Sequence, residues 1–250
     1  MINTGNNVKE TLSDLTLSQI VTDNFKTAAV FEKYSLDFCC RGNKTISDAC
    51  IEKGVSSEQV FEDLNELLVT RAETNGRYNE WAPDFLADYI VNNHHSYVRG
   101  IIPILTIHTQ KIASVHGKNH PETIEVARIF GIVYKDLKQH MMKEEEILFP
   151  YIRQLVKSSN SQSKTERPYF GSVQNPIKMM EAEHESAGDE LFEIRRLTNN
   201  YTPPADACNT YKICYQELKE FEEDLHKHVH LENNILFPKA IQLENDVLSR

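Results

Sequence analysis

The sequence predicts an all-α protein: a small N-terminal helical unit followed by an antiparallel four-helix bundle. Three observations carry this expectation. Beyond Pro83 the apolar residues recur at helical intervals, with almost no alternation of the strand kind. Polar and turn-forming segments cut that region into four stretches, each long enough for a bundle helix. One fifteen-residue pattern also occurs twice, 88 residues apart (228 − 140), which points to two related helical hairpins.

The elements follow in order. Residues 1–75 are read as the small unit, 76–83 as a linker and 84–245 as the bundle. A helix is expected from Ser18 to about Tyr34. The loop SLDFCCRGNKT follows, with the adjacent thiols Cys39 and Cys40 and with Gly42. Thr45 can cap a short helix that ends before Gly54, and Ser56 opens another whose apolar stripe is Val60, Leu64, Leu67 and Leu68. The stretch TNGRYNEWAP has the residues of a boundary. The bundle helices are placed at 84–116, 121–157, 175–199 and 205–245. KSSNSQSKTERPYFGSVQN joins the second to the third, and NNYTPPAD joins the third to the fourth.

Composition bounds the function. The 250 residues carry a net charge of 27 − 37 = −10, so phosphate backbones are repelled and no nucleic-acid partner is expected. With 40% apolar and 26% charged residues the chain can build an ordinary globular core. No apolar run reaches the roughly 18 residues of a membrane span, and the polar start lacks the pattern of a signal peptide. Five cysteines, an odd number, do not make a secreted disulfide framework. The expected compartment is the cytoplasm, with reduced thiols.

The repeat carries the chemistry. Asp136-Leu-Lys-Gln-His-Met-Met-Lys-Glu-Glu-Glu-Ile-Leu-Phe-Pro150 aligns with Asp224-Leu-His-Lys-His-Val-His-Leu-Glu-Asn-Asn-Ile-Leu-Phe-Pro238, and 8 of the 15 positions are identical. Each copy keeps a His and a Glu four residues apart, which puts both side chains on one helical face. Leu137 and Ile147 share the sector of His140 and Glu144. Leu225, Leu231 and Ile235 share that of His228 and Glu232. A single His-x3-Glu is ordinarily a hydrogen-bonding pair. Duplication of the pair beside an apolar stripe, where unsatisfied polar groups are costly, favours a bound metal. The first helix adds His94-His95 and the third adds His184. The separations 95 to 140 and 184 to 228 are 45 and 44 residues, so each hairpin offers one His from its first helix and a His-x3-Glu from its second.

Four imidazoles and two carboxylates without a thiolate disfavour a structural zinc site. They suit two ions that prefer octahedral coordination, each with two His and both bridged by the carboxylates, with room for an oxo, hydroxo or water bridge. Iron is the first choice and manganese the second. Local periodicity slightly favours His94 over His95 as the buried member of that pair. In the last helix His226 and His230 share a different face from His228 and Glu232, and are read as solvated flanking residues. Asp136, Asp224 and Glu183 are candidates to orient the ligand histidines. Met141, Met142, Met179 and Met180 are read as core filler, and Cys50, Cys208 and Cys214 as packing residues.

The stretches NHHSYVRGIIP, HMMKEEEILFP, MEAEHESAG and HVHLENNILFP resemble the haemerythrin-like domain of the repair-of-iron-centres proteins. YSLDFCCRGNKTISDAC resembles the small domain that accompanies it. The resemblance covers residues 15 to 240 or so. It implies a non-haem di-iron centre held by His95, His140, Glu144, His184, His228 and Glu232, with Glu144 and Glu232 bridging. It takes His95 rather than His94, because the family's first ligand lies eight residues before a proline, here Pro103. It also implies protection or repair of iron–sulfur clusters damaged by nitric oxide or peroxide, by release of iron, and a redox or iron-handling role for Cys39 and Cys40. The expected partners are iron–sulfur client proteins and nitric oxide, dioxygen or peroxide, with a homodimer left open. The runner-up readings are a di-iron nitric oxide or peroxide reductase and a haemerythrin-like sensor of dioxygen or nitric oxide.

Overall fold

The computed structural model describes residues 12–70, 78–163 and 166–249. By its internal contacts the chain divides into two compact units, 1–82 with 230–238, and 83–229 with 239–250. The sequence expectation had assigned 230–238 to the bundle with the rest of 84–245. Part of the expected linker, 76–77, lies outside the described residues. Among the described residues there is no strand; one isolated bridge pairs Thr16 with Thr45.

In the first unit the helix expected over 18–34 is broken in two. Thr16 caps α1 (Leu17–Asp23) in a reciprocal capping box with Gln19. Asn24 then leaves the helical region (φ −149°, ψ 99°), and its side chain accepts the Lys26 N–H. A short 3-10 turn (Phe25–Thr27) leads into α2 (Ala28–Lys33). Asn offers the backbone this local alternative, which ends the helix where periodicity alone would carry it on. Thr45 caps α3 (Ile46–Lys53), and Gly54 closes it at φ 67°, the left-handed geometry that glycine adopts without penalty. In α4 (Ser57–Thr70), Val60 and Leu64 are buried, whereas Leu67 and Leu68 are only half-buried. Lys33 and Tyr34 both donate to Asp63, tying the end of α2 to α4.

Among the described residues the second unit is built on four helical rods. The first joins α5 (Pro83–Ile90), a π-helical turn (Val91–His95) and α6 (Ser96–His116). The second joins α7 (Glu122–Lys143), a π turn (Glu144–Leu148) and α8 (Phe149–Ser161). The third is α9 (Gln174–Leu197). The fourth joins α10 (Asn209–Leu231), a π turn (Glu232–Leu236) and α11 (Phe237–Leu248), and is continuous through the 230–238 segment. The α6 and α9 helices both pack on α7, and α5 packs on α8. Phe130 of α7 meets Phe221 of α10 edge to face at 5.6 Å in the core.

Two buried carboxylates hold the connections. Glu244 accepts the Tyr151 hydroxyl (2.8 Å), the Ser172 hydroxyl (2.6 Å) and the Val173 N–H (2.9 Å), so it fixes the end of the long polar connection. Glu222 accepts from Arg195 (2.9 Å) and from the Tyr201 hydroxyl (2.8 Å). The turn after α9 runs through Asn199, Asn200 and Tyr201 at φ 48°, 56° and 56°. Asparagine tolerates that region, and Tyr201 is held there by its N–H bond to Thr198 Oγ1 as well as by Glu222. No helix among the described residues is long and apolar enough to cross a membrane.

Candidate metal centre

The helical period explains how the repeat presents its donors. His140 stands in the last turn of α7, and Glu144 opens the π turn that follows. His228 and Glu232 repeat this arrangement at the end of α10. A π turn then leads to Phe-Pro in both copies, with Pro150 and Pro238 lacking the amide that an α-helical bond would use. The first rod has a π turn for another reason. Asn92 and Asn93 donate side-chain N–H groups to the Asp88 and Tyr89 carbonyls at 2.8 Å, and the Ser96 hydroxyl reaches Val91 O. These donors satisfy carbonyls on the turn and its approach, and the widened helix carries His94 and His95. His184 comes from α9, which stays α-helical throughout.

All six expected ligands are buried, none more than 2% exposed. They fall into two groups of four whose donor atoms lie within 4.8 Å of one another: His95, Glu144, His228 and Glu232, and His140, Glu144, His184 and Glu232. Both carboxylates belong to both groups. Glu232 lies in the 230–238 segment but stands one turn from His228 on the same unbroken helix. Glu144 Oε2 is 3.3 Å from His95 Nε2 and 3.3 Å from His140 Nε2, so one oxygen faces both halves. Within each half the imidazoles point nitrogen to nitrogen: His95 Nε2 to His228 Nε2 at 3.2 Å, and His184 Nε2 to His140 Nε2 at 2.9 Å. Two ligands at about 2.1 Å from an ion and at right angles stand about 3.0 Å apart, which matches both pairs.

The outer nitrogens fix the tautomers. His95 Nδ1 lies 2.5 Å from Glu145 Oε1, and His140 Nδ1 lies 2.9 Å from Glu183 Oε2. A carboxylate there accepts a hydrogen bond from Nδ1–H, so the proton stays on Nδ1 and the Nε2 lone pair faces inward, as a cation requires. Arg99 donates to Glu145 and Lys143 to Glu183. The His140 hydrogen bond, helped by Lys143 against the pull of burial, brings Glu183 down to about 2. The donor set fits a pair of cations.

Several sequence expectations change. Glu183, not Asp136, orients His140; Asp136 instead lines a cavity of about 260 Å³ beside His140, with Lys143, Glu183 and Glu190. Asp224 pairs with His94 Nδ1 at 2.9 Å rather than with His228, and the His94 ring stacks on that of His228 at 5.5 Å. His94 is buried, as its periodicity indicated, but it stands outside both four-residue groups. His230 is not solvated: it is 1% exposed, its ring packs near Phe25 and Phe38, and burial lowers it to about 3. Met142 and Met179 are exposed, unlike Met141 and Met180. Cys50 and Cys214 are buried, and burial pushes the Cys214 thiol up to about 12. Cys208, by contrast, is exposed with its sulfur 3.2 Å from His116 Nε2. Glu145 went unnoticed in the sequence; its place in the Glu144-Glu145-Glu146 run was the only signal.

The family model described as the haemerythrin HHE cation-binding domain matches residues 86–240, more than half of the chain. The chain belongs to that family. A second model, ScdA_N, described as a domain of unknown function, matches residues 13–68. Among curated relatives, the probable iron–sulfur cluster repair protein of Haemophilus influenzae is 35% identical over 228 residues, covering 90% of this chain and 96% of its own. The iron–sulfur cluster repair protein YtfE of Citrobacter koseri is 33% identical, covering 91% and 97%. YtfE of an Enterobacter species is similar to the same extent. The haemerythrin-like helices and their two His/Glu groups suit a dinuclear metal centre.

Proposed function

We propose that this protein holds two non-haem iron ions and repairs iron–sulfur clusters damaged by nitrosative or oxidative stress, supplying iron from its own centre. The carrying observation is the pair of four-residue groups that share Glu144 and Glu232. In this reading His95 and His228 hold one ion and His140 and His184 the other. Glu144 and Glu232 would serve both ions, with room for an oxo or hydroxo bridge in the oxidised pair. Manganese is the second choice of metal. When bound, such a pair supplies redox-active iron that oxygen donors grip less tightly than a thiolate cage would. Glu145 and Glu183 orient His95 and His140, and the apolar walls of the bundle keep water from the donors. The names of the relatives support iron–sulfur proteins as clients. The five free cysteines of this chain support a reducing compartment such as the cytoplasm.

The test has two stages. The purified protein is expected to carry two irons per chain, with bridge charge-transfer bands in its oxidised visible spectrum. Fewer irons, or no such bands, would overturn the di-iron reading. The iron-loaded protein is then incubated with a cluster enzyme damaged by nitric oxide. Stoichiometric recovery of activity, with iron moving from donor to client, supports repair. Recovery only alongside catalytic consumption of nitric oxide would assign the chain to the reductases instead.

A further inference from the structure

A second set of metal-ligand side chains lies in the first unit, in the loop between α2 and α3. Asp37, Cys39 and Cys40 bring a carboxylate oxygen and two sulfurs within 4.8 Å of one another. We propose that these three residues form a cation site of their own, which takes one thiophilic divalent ion in tetrahedral geometry with the fourth position open to exchange.

The distances carry the proposal. Two thiolates at about 2.3 Å from a tetrahedral ion stand about 3.8 Å apart. The Cys39 and Cys40 sulfurs are 3.7 Å apart. A carboxylate oxygen and a sulfur on the same ion stand about 3.5 Å apart. Asp37 Oδ1 is 3.3 Å from Cys39 Sγ. The carboxylate is held in place by the loop itself, since Oδ1 accepts the N–H groups of Cys39 (3.0 Å) and Cys40 (2.9 Å). Adjacent residues ordinarily point their side chains apart; this turn brings both sulfurs to one side.

The loop is pinned from outside as well. The Ser18 N–H donates to Gly42 O and the Leu17 N–H to Lys44 O, both at 2.9 Å. A Cβ at Gly42 would stand 2.2 Å from Phe38 O, so only glycine allows the chain to pass there. Asn234 donates to the Phe38 and Cys39 carbonyls, and Asn233 to Cys39 O, each at 3.3 Å. The donors are thereby placed before any ion arrives, which lowers the ordering cost of binding. Cys39 is buried while Cys40 is only half-buried, so an ion enters past Cys40 and Asp37. The Cys40 thiol hydrogen-bonded to Cys39, and then burial, raise Cys39 well above the ordinary thiol range. No further ligand is needed from the protein, so the open position can take a ligand from a second molecule. Carrying ferrous iron in transit is a use that rests on the repair reading; the binding itself does not.

The probe is cobalt(II), added without oxygen to the full chain with its bundle centre already loaded and its thiols reduced. The His/Glu groups hold no sulfur, so a sulfur-to-cobalt charge-transfer band reports thiol ligation, and its loss in the serine variant separates the loop from the exposed Cys208 beside His116. The expected result is that band, together with intense tetrahedral visible bands, saturating at one cobalt per chain and reversed by zinc. It is expected to vanish in Cys39→Ser/Cys40→Ser. In Asp37→Asn affinity is expected to fall by no less than the roughly tenfold that loss of an outer-sphere partner costs. A second measurement avoids reliance on variants: zinc should protect two thiols of the unaltered protein from alkylation, mapped to Cys39 and Cys40. The proposal is overturned by three results: no sulfur band at stoichiometric cobalt, a band that survives in the double serine variant, or zinc protection that maps elsewhere.

Discussion

One chain offers cations two donor sets of opposite chemistry. In the bundle, six nitrogen and oxygen donors project from four helical rods and are almost wholly buried, and Glu145 and Glu183 brace His95 and His140 among them. In the loop before α3, one oxygen and two sulfurs come from four consecutive residues held by backbone hydrogen bonds and a required glycine. The first set pairs hard and borderline donors in a closed space; the second is soft, small and open on one side. Helices fix ligands by long-range packing, so the bundle set should be slow to exchange. The loop set is held by its own turn and by bonds from Asn233, Asn234 and α1, but its open side should let an ion bind and release quickly.

The largest expected effect breaks the bundle set without touching the loop. Glu144 belongs to both groups, and its oxygen faces both His95 and His140. Glu144→Gln is expected to lower iron from two per chain to below one by elemental analysis, with helicity unchanged by circular dichroism. The cobalt signature of the loop should stay intact. If both ions remain, the shared carboxylate is not a ligand and the dinuclear reading loses its centre. A finer cut separates the adjacent histidines. His95→Ala should remove one ion of the two. His94→Ala should keep both, because His94 turns its Nδ1 to Asp224. Equal iron loss in both variants would undo that assignment.

How much of this was legible follows from the same contrast. His140, Glu144, His228 and Glu232 could be found because a four-residue spacing has one meaning on a helix, and the duplication removed the chance match. The caps at Thr45 and Gly54 were equally local and equally readable. Glu145 was not, because its partner His95 is 50 residues away and only packing brings them together. His230 was misjudged for a similar reason, since Phe25 and Phe38 cover a face that helical periodicity alone left open. The π turns were invisible to a count that assumes 3.6 residues per turn, although the repeated Ile-Leu-Phe-Pro marks two of them. Cys39 and Cys40 were visible as a pair, but the approach of Asp37 Oδ1 depends on how the loop folds back on itself.

A smaller effect tests the bracing of the bundle set. Glu183 accepts the His140 Nδ1–H and a hydrogen bond from Lys143. Glu183→Gln keeps the shape but loses the charge that fixes the tautomer. Iron affinity at the His140 half should weaken by about 10–100-fold, read by competition with a chelator. His95 keeps its own carboxylate in Glu145, so one ion per chain should be retained at chelator concentrations that strip the other. Simultaneous loss of both would mean that the two halves bind as a single cooperative unit.

The smallest effect falls on the loop set and sharpens the comparison from the other side. Thr45 caps α3, accepting the Asp48 N–H, and it stands one residue after Lys44, whose carbonyl anchors the loop to α1. Thr45→Ala removes the cap at a cost of about 1 kcal/mol. That is roughly a fivefold change in the local folding equilibrium, too little to unfold the unit but enough to loosen the chain beside Asp37, Cys39 and Cys40. Cobalt should therefore bind the loop more weakly and leave it faster, while the iron count and chelator resistance of the bundle stay as they were. An unchanged cobalt off-rate would show that Gly42, Asn233 and Asn234 hold the thiols without help from α3. A parallel fall in iron retention would show that the bundle set is not insulated from the loop, and the contrast between slow and fast sites would fail.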